Sequence, residues 1–211
     1  MIRLFLALLL LSSSTLAHAQ EPLQQIADQL GKQNVLRLPF EQTKRVVVLS
    51  KPLVSSGTMI FAKGHGLIWR TEKPFLSVMA ITSFGIVRHD SGGTRVVMRS
   101  SEHRAAEHFS KTFLSLFSGE LDSVKGAFEV LPETTAGSSS WSLRLTPKRS
   151  ALRKVIAEIA LRGSPEPVEF ILKEANGDET RITFHAGSGS QMELTDEDRR
   201  LFESTRQTLT P

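Results

Sequence analysis

The sequence predicts a mainly β protein with helical inserts, either an antiparallel meander or an up-and-down barrel. Three observations predict it. Five or six short strands fall within about 60 residues after the first helix, with turn signals at roughly 8–12-residue intervals. One long stretch, Glu102 to Ser118, drops the two-residue alternation for a helical stripe. Asn176-Gly177 separates two alternating apolar runs, a strong hairpin signal. Alternating β-α units are missing, which argues against a doubly wound parallel sheet.

Each element has its own justification. Met1 to Ala19 reads as a secretory signal. Arg3 is the positive start, Leu4 to Leu11 the apolar run, and Ala17-His18-Ala19 the cleavage pattern. The run is too short to cross a bilayer core of ~30 Å. The mature chain, 20–211, is expected to be one exported domain beginning at Gln20. Pro22 to Gln33 is a helix, with Leu23, Ile26, Ala27 and Leu30 on one face and Gly31 near its stop. Leu36, Leu38 and Phe40 alternate along a strand that Val46 to Leu49 extends. Lys51-Pro52-Leu53 breaks it, and Ser55-Ser56-Gly57 reads as a turn.

Thr58 to Lys63 and Leu67 to Glu72 form a hairpin over Gly64-His65-Gly66. Phe75 to Ile81 is the next strand, and Ile86 to His89 pairs with Arg95 to Arg99. In the helix that follows, Ala105, Ala106, Phe109, Phe113, Leu116 and Phe117 make the apolar stripe, and Gly119 ends it. Strands return at Ala127 to Leu131 and Ser140 to Thr146. A helical turn from Ser150 leads to a strand through Arg162. Val168 to Ala175 and Glu179 to Ala186 make the last hairpin. A short helix, Asp196 to Phe202, is capped by Thr195.

Composition narrows the function. The 211 residues contain no Cys and no Tyr, but 12 Phe. That excludes disulfides, thiolate metal sites, a thiol nucleophile and lipid attachment to an N-terminal cysteine. Cleavage at Gln20 removes one charge, Arg3, leaving 25 basic against 22 acidic residues and a net +3. The basic residues are scattered and the chain is exported, so no nucleic-acid partner is expected. The nearest cluster, Lys148, Arg149, Arg153 and Lys154, reads as a solvated face. Its alternative is a weak attraction to anionic lipid headgroups, a transient membrane-surface contact.

A search for catalysis returns nothing. His103 and His108 lie five apart, about 140° around a helix, so they cannot share a metal as an i, i+4 pair does. No nucleophile elbow, phosphate-binding loop or dinucleotide fingerprint occurs. The run His185-Ala186-Gly187-Ser188-Gly189-Ser190 reads as a strand-end loop. Asp196, Glu197 and Asp198 suit a helix N-terminus. No catalytic residue, metal or cofactor is expected. What remains is an apolar surplus: Met59, Phe61, Leu67, Trp69, Phe75 and Met79 on strands, and Phe109, Phe113, Leu116 and Phe117 on the helix. Periodicity is equally satisfied by a filled core and by a hollow one holding an apolar ligand.

Several segments, in order, resemble a known family. Phe40-Glu41-Gln42-Thr43-Lys44, Leu53-Val54-Ser55-Ser56-Gly57 and the run Leu67-Ile68-Trp69-Arg70-Thr71-Glu72-Lys73-Pro74-Phe75 are similar to the periplasmic outer-membrane lipoprotein carriers, the LolA family. Leu143, Leu145, Thr146, Pro147 and the Asn176-Gly177 hairpin fall where that family has similar pieces. The resemblance covers about residues 24–186 and is poor beyond Ala186.

It implies an unclosed antiparallel β-barrel, a highly curved sheet, with a short helical lid over an apolar cavity. It implies no catalysis. The cargo would be an acylated lipoprotein, passed from an inner-membrane donor transporter to an outer-membrane acceptor by a monomer. A free acyl lipid is the alternative cargo, and a non-carrier binding module the alternative class. Met59, Phe61, Leu67, Trp69 and Met79 would line the cavity. Phe109, Phe113, Leu116 and Phe117 would form the lid. Lys63 stands where the family has a functional Arg, six residues before Trp69. It would be a softer polar latch, or would meet the cargo's carbonyls, because Lys is a point charge on a flexible stem. Leu67→Glu or Phe113→Glu is expected to spare the fold and lower lipid binding.

Overall fold

Eleven strands hydrogen-bond into one antiparallel sheet in a computed structural model that describes residues 17–90, 92–99, 104–133, 140–164, 166–185 and 193–209. The helix α1 (Ala17–Gly31) leads into β1 (Val35–Arg45), β2 (Leu53–Ala62), β3 (Gly66–Lys73), β4 (Ser77–Thr82), β5 (Gly85–Asp90) and β6 (Gly93–Arg99). Two helices, α2 (Arg104–Ser118) and α3 (Leu121–Ala127), intervene before β7 (Phe128–Pro132) and β8 (Trp141–Pro147). A single turn, α4 (Ser150–Arg153), precedes β9 (Ile156–Gly163), β10 (Pro167–Glu174) and β11 (Glu179–Phe184), and α5 (Asp196–Leu209) ends the chain.

The strand order is β6-β5-β4-β3-β2-β1-β11-β10-β9-β8-β7. Two meanders are therefore joined through β1 and β11, with Phe40 opposite Phe184 and Arg45 opposite Glu179. The free edges are β6 and β7, consecutive strands in the chain. Their connection carries α2 and α3, so the helices sit where the sheet stays open. One continuous apolar cluster runs from Met98 on β6 to Val130 on β7, which only a strongly curved sheet brings together. The fold is an unclosed antiparallel barrel.

Alternation decides the faces. Leu36, Leu38 and Phe40 point inward. Ile60, Ala62 and Ile68 point outward, where Leu194 and Phe202 cover them. Among the described residues, no helix is long and apolar enough to cross a membrane.

Several boundaries differ from expectation. The first helix starts earlier, at Ala17, and runs through Ala17-His18-Ala19. Residues 46–49 are not strand: Leu49 N donates to Val46 O at 2.9 Å, closing a turn. Ser55-Ser56-Gly57 is strand rather than turn. A β-bulge lies between Ser56 and Gly57, and a Cβ at Gly57 would stand 1.9 Å from Arg70 O. Glycine is there for close backbone approach, not for reversal. Phe75 and Leu76 precede β4 instead of forming it. The short α3 was not anticipated; Gly119 at φ +74° breaks α2 from it and lets the α1 backbone come close, since a Cβ there would stand 2.2 Å from Ala27 O. The last helix extends past Phe202 to Leu209.

Candidate functional site

The inner face of β2–β4 is built in two rows by register. Met59 lies opposite Trp69, and Trp69 opposite Met79; Phe61 lies opposite Leu67, and Leu67 opposite Ile81. The sheet thus brings together all five residues expected to line a cavity. Met59, Phe61 and Leu67 are buried, while Trp69 and Met79 are half-buried. Leu67 has no exposed surface. A glutamate there would place an unpaired charge in the core, so Leu67→Glu would unfold the protein rather than only block binding.

Helix α2 packs on this cluster through Phe113, Leu116 and Phe117. Leu116 and Phe117 are buried and Phe113 is half-buried. Phe109 is on the same helix, but its side chain lies outside the described residues. Phe117 sits 6.0 Å from Phe61, ring centre to ring centre, and 5.5 Å from Phe113. Phe113 in turn meets Phe170 of β10 edge-on at 6.2 Å. A second aromatic group joins the two meanders: Phe40 to Trp69 at 4.0 Å, and Trp69 to Phe184 at 6.4 Å. Phenylalanine rings gain from such tilted and edge contacts without needing a hydrogen-bond partner.

Sequence reasoning missed the other wall. Phe170, Phe184, Trp141, Leu143, Leu145 and Leu161 complete the same cluster. Their signal was present as strand alternation, clearest at Trp141, Leu143 and Leu145. What was absent was any sign that the C-terminal hairpin would pair with β1. The hydroxyl of Ser110, buried on α2, has no partner among the described residues.

Lys63 is exposed in the β2–β3 turn. Its backbone N donates to Asn34 O at 2.8 Å, and its ammonium has no partner among the described residues. It stands beside the apolar interior, not within it. Among the described residues no three of His, Asp and Glu gather as a metal set. His103 and the run 186–190 lie outside the described residues.

On the outer face, α5 is pinned across β1–β6. Arg37 donates to Asp198, and Arg70 pairs with Glu197 at 2.8 Å. Thr195 N and Oγ1 donate to Asp198 Oδ2 at 3.1 and 2.7 Å, and Asp198 N donates back to Thr195 Oγ1 at 3.2 Å. This reciprocal cap confirms Thr195 as the start of the helix. Burial pushes the Asp198 carboxyl up, but the bonds from Thr195 and Arg37 outweigh it and hold the group below its ordinary range. At the other end of α5, Arg99 donates to Thr208 O and Leu209 O at 2.9 and 3.1 Å.

A family model described as "Outer membrane lipoprotein carrier protein LolA" matches residues 32–197. The chain belongs to the LolA family. The match reaches beyond Ala186, into the first turn of α5, further than the resemblance read from the sequence. Members of this family are carrier or binding proteins, and membership places the chain, at a coarse level, among lipid or lipoprotein carriers. No curated protein matches the chain. Among solved structures it is similar to a LolA superfamily protein from Nitrosomonas europaea, with 12% identity, 87% of this chain and 96% of that one covered, and a TM-score of 0.45. It is also similar to a putative outer membrane lipoprotein-sorting protein domain from Vibrio parahaemolyticus, at 9% identity, 88% and 99% coverage and a TM-score of 0.45. The lipoprotein LppX of Mycobacterium tuberculosis is a third, at 10% identity, 84% and 99% coverage and a TM-score of 0.43.

Proposed function

We propose that this LolA-family chain is a periplasmic carrier that takes acyl chains into its interior and moves lipoproteins from inner to outer membrane. The observation that carries the reading is the aromatic bridge from β2 through Phe117 and Phe113 of α2 to Phe170 of β10. It makes the helix over the open side of the barrel an apolar plug. Each buried CH₂ of a cargo chain is worth ~0.8 kcal/mol, so the interior must offer comparable burial to extract it from a membrane. In the closed arrangement Phe113 and Phe117 supply that burial to the barrel themselves. Cargo takes their place when α2 moves out, and the returning helix expels it. Two arrangements of one lid thus give both uptake and release.

In this reading Met59, Phe61, Leu67, Trp69 and Met79 line the acyl site. Lys63, exposed at one rim, meets the polar head of the cargo. Residues 1–19 are the cleaved export signal. Pro22 agrees with that processing: a proline is tolerated in the first turn of a helix starting at Gln20, and poorly at the sixth position of one starting at Ala17.

The test is native mass spectrometry and lipid extraction on protein purified from a periplasm without detergent. The expected bound mass is an acylated peptide or lipoprotein. A free phospholipid or fatty acid, taken up specifically, would replace lipoprotein by free lipid as the cargo. No bound lipid and no uptake of a fluorescent fatty acid would overturn the carrier reading and favour a non-carrier binding module.

A further inference from the structure

We propose that one end of the barrel is a docking surface for an anionic lipid bilayer. The proposal deepens the carrier reading and rests on it for its purpose, since a carrier must meet membranes, but its geometry stands separately. Strand register gathers five strand-to-strand connections at that end. They are the β1–β2 link at 46–52, the β3–β4 link at 74–76, the β5–β6 turn between Asp90 and Gly93, the α4 segment at 148–155 and the β10–β11 turn at 175–178.

This end is apolar where a soluble protein has no structural need of it. Eight of the eleven exposed large apolar residues among the described ones lie here, and two tips stand out. Val48 is 87% exposed within Val47-Val48-Leu49, and Phe75 is 82% exposed within Phe75-Leu76. The other three, Phe84, Leu131 and Val168, lie toward the opposite end, each less than half exposed. Single exposed apolar residues are ordinary, but a contiguous group marks a contact surface.

The first tip is held out by design of the chain. Val47 N donates to Asp178 Oδ1 at 2.9 Å, which ties the β1–β2 link to the β10–β11 turn. Asp178 is itself buried, and its N–H donates to Asn176 Oδ1 at 3.0 Å. The Val47 N–H is thus satisfied from beneath, while the Val47 and Val48 side chains are exposed.

Charge decides the occupant. Arg45, Lys51 and Lys73 flank the tips, exposed and without an acidic partner among the described residues. Arg149 and Lys154, on the α4 segment, add to the same end. The acids nearby are engaged: Glu174 with Lys44 at 2.8 Å, Glu179 with Arg181 at 3.3 Å, and Asp90 with Arg88 at 3.1 Å. Glu72 accepts a bond from Thr58. Apolar tips amid unpaired cations match a bilayer surface, where the tips enter the acyl boundary and the cations lie at phosphate depth.

The test is flotation of the processed protein with vesicles of phosphatidylcholine alone and with about 30% phosphatidylglycerol added to supply anionic surface. The wild type is expected to float with the anionic vesicles and to lose binding as salt rises. Val48→Ser with Phe75→Ser should lower binding about tenfold by removing the inserted apolar area. Lys51→Glu with Lys73→Glu should lower it too. Uptake of a fluorescent fatty acid from vesicle-free solution should be unchanged in both pairs, and serves as the check on folding. A wild type that does not float with anionic vesicles, or a serine pair that floats as the wild type does, overturns the proposal. Binding confined to native membranes and abolished when those membranes are treated with protease also overturns it, in favour of a protein partner. Flotation without fatty-acid uptake supports the docking surface while removing the carrier reading.

Discussion

Replacing Phe113 with alanine asks whether α2 is a lid or an ordinary piece of core. The ring makes edge contacts with Phe117 and Phe170, at 5.5 Å and 6.2 Å with interplanar angles of 64° and 80°. Each contact is worth ~0.5–1.5 kcal/mol beyond burial. Transfer of a half-buried phenyl adds roughly 1 kcal/mol. The closed state should therefore lose about 3 kcal/mol, and the melting temperature about 6–12 °C for a chain of this size. Cargo affinity should move the other way. Apparent affinity scales with the fraction of protein already competent to bind. A closed state weakened by about 3 kcal/mol, less about 1 kcal/mol for the ring's own contact with an acyl chain, gives a gain of about 30-fold. Thermal unfolding and titration with a fluorescent fatty acid read the two effects separately. A fall in melting temperature with unchanged or weaker binding would refute the lid and return α2 to the core. Phe113→Glu, at a half-exposed position, is expected to fold and to bind less.

Three further outcomes follow from the packing. Phe61→Ala, deep between Leu67 and Phe117, should cost about 3–5 kcal/mol in chemical denaturation. Gly57→Ala should destabilise by more than the usual glycine-to-alanine change, because the new Cβ falls 1.9 Å from the Arg70 carbonyl oxygen; an unperturbed midpoint would contradict the bulge geometry. Asp198 carries the pH dependence of α5. Its folded-state carboxyl lies below its ordinary value, so its contribution is present above the ordinary carboxylate range and is lost as pH falls through the folded value. Acid should release α5, seen as faster amide exchange in 196–209. Asp198→Asn should cost about 1–3 kcal/mol at neutral pH and flatten that acid response.

The sequence was most legible where one residue type answers one local need. Asn176-Gly177 gave a hairpin and Thr195 gave a helix cap, because each acts through its own backbone neighbours. It misled where a residue serves a distant neighbour. Gly57 looked like a turn and is a contact point for the Arg70 backbone. Residues 46–49 looked like strand, since all four are β-branched or apolar, but they turn outward with Val47 held by Asp178, 131 positions away. The candidate site was half legible. Met59, Phe61, Leu67, Trp69 and Met79 share a face by simple alternation and pairing. Their opposite wall, Phe170 and Phe184, depends on β1 pairing with β11, and nothing local in either strand announces that register.

The amino-acid sequence alone determined a mainly β chain with a helical interruption, the inward residues of each strand, the apolar stripe of α2 and the absence of cysteine chemistry. These follow from period, turn residues and composition, which are properties of neighbouring positions. Only the tertiary structure decided that the two meanders close on each other through β1 and β11, that the open edges are β6 and β7, and that α2 packs on the β6 side and α3 on the β7 side. It also decided that Val47, Val48, Phe75 and Leu76, read as members of strands, stand exposed together at one rim. Those are outcomes of long-range pairing, in which the buried area and hydrogen bonds gained across the whole sheet outweigh the preferences of any single segment.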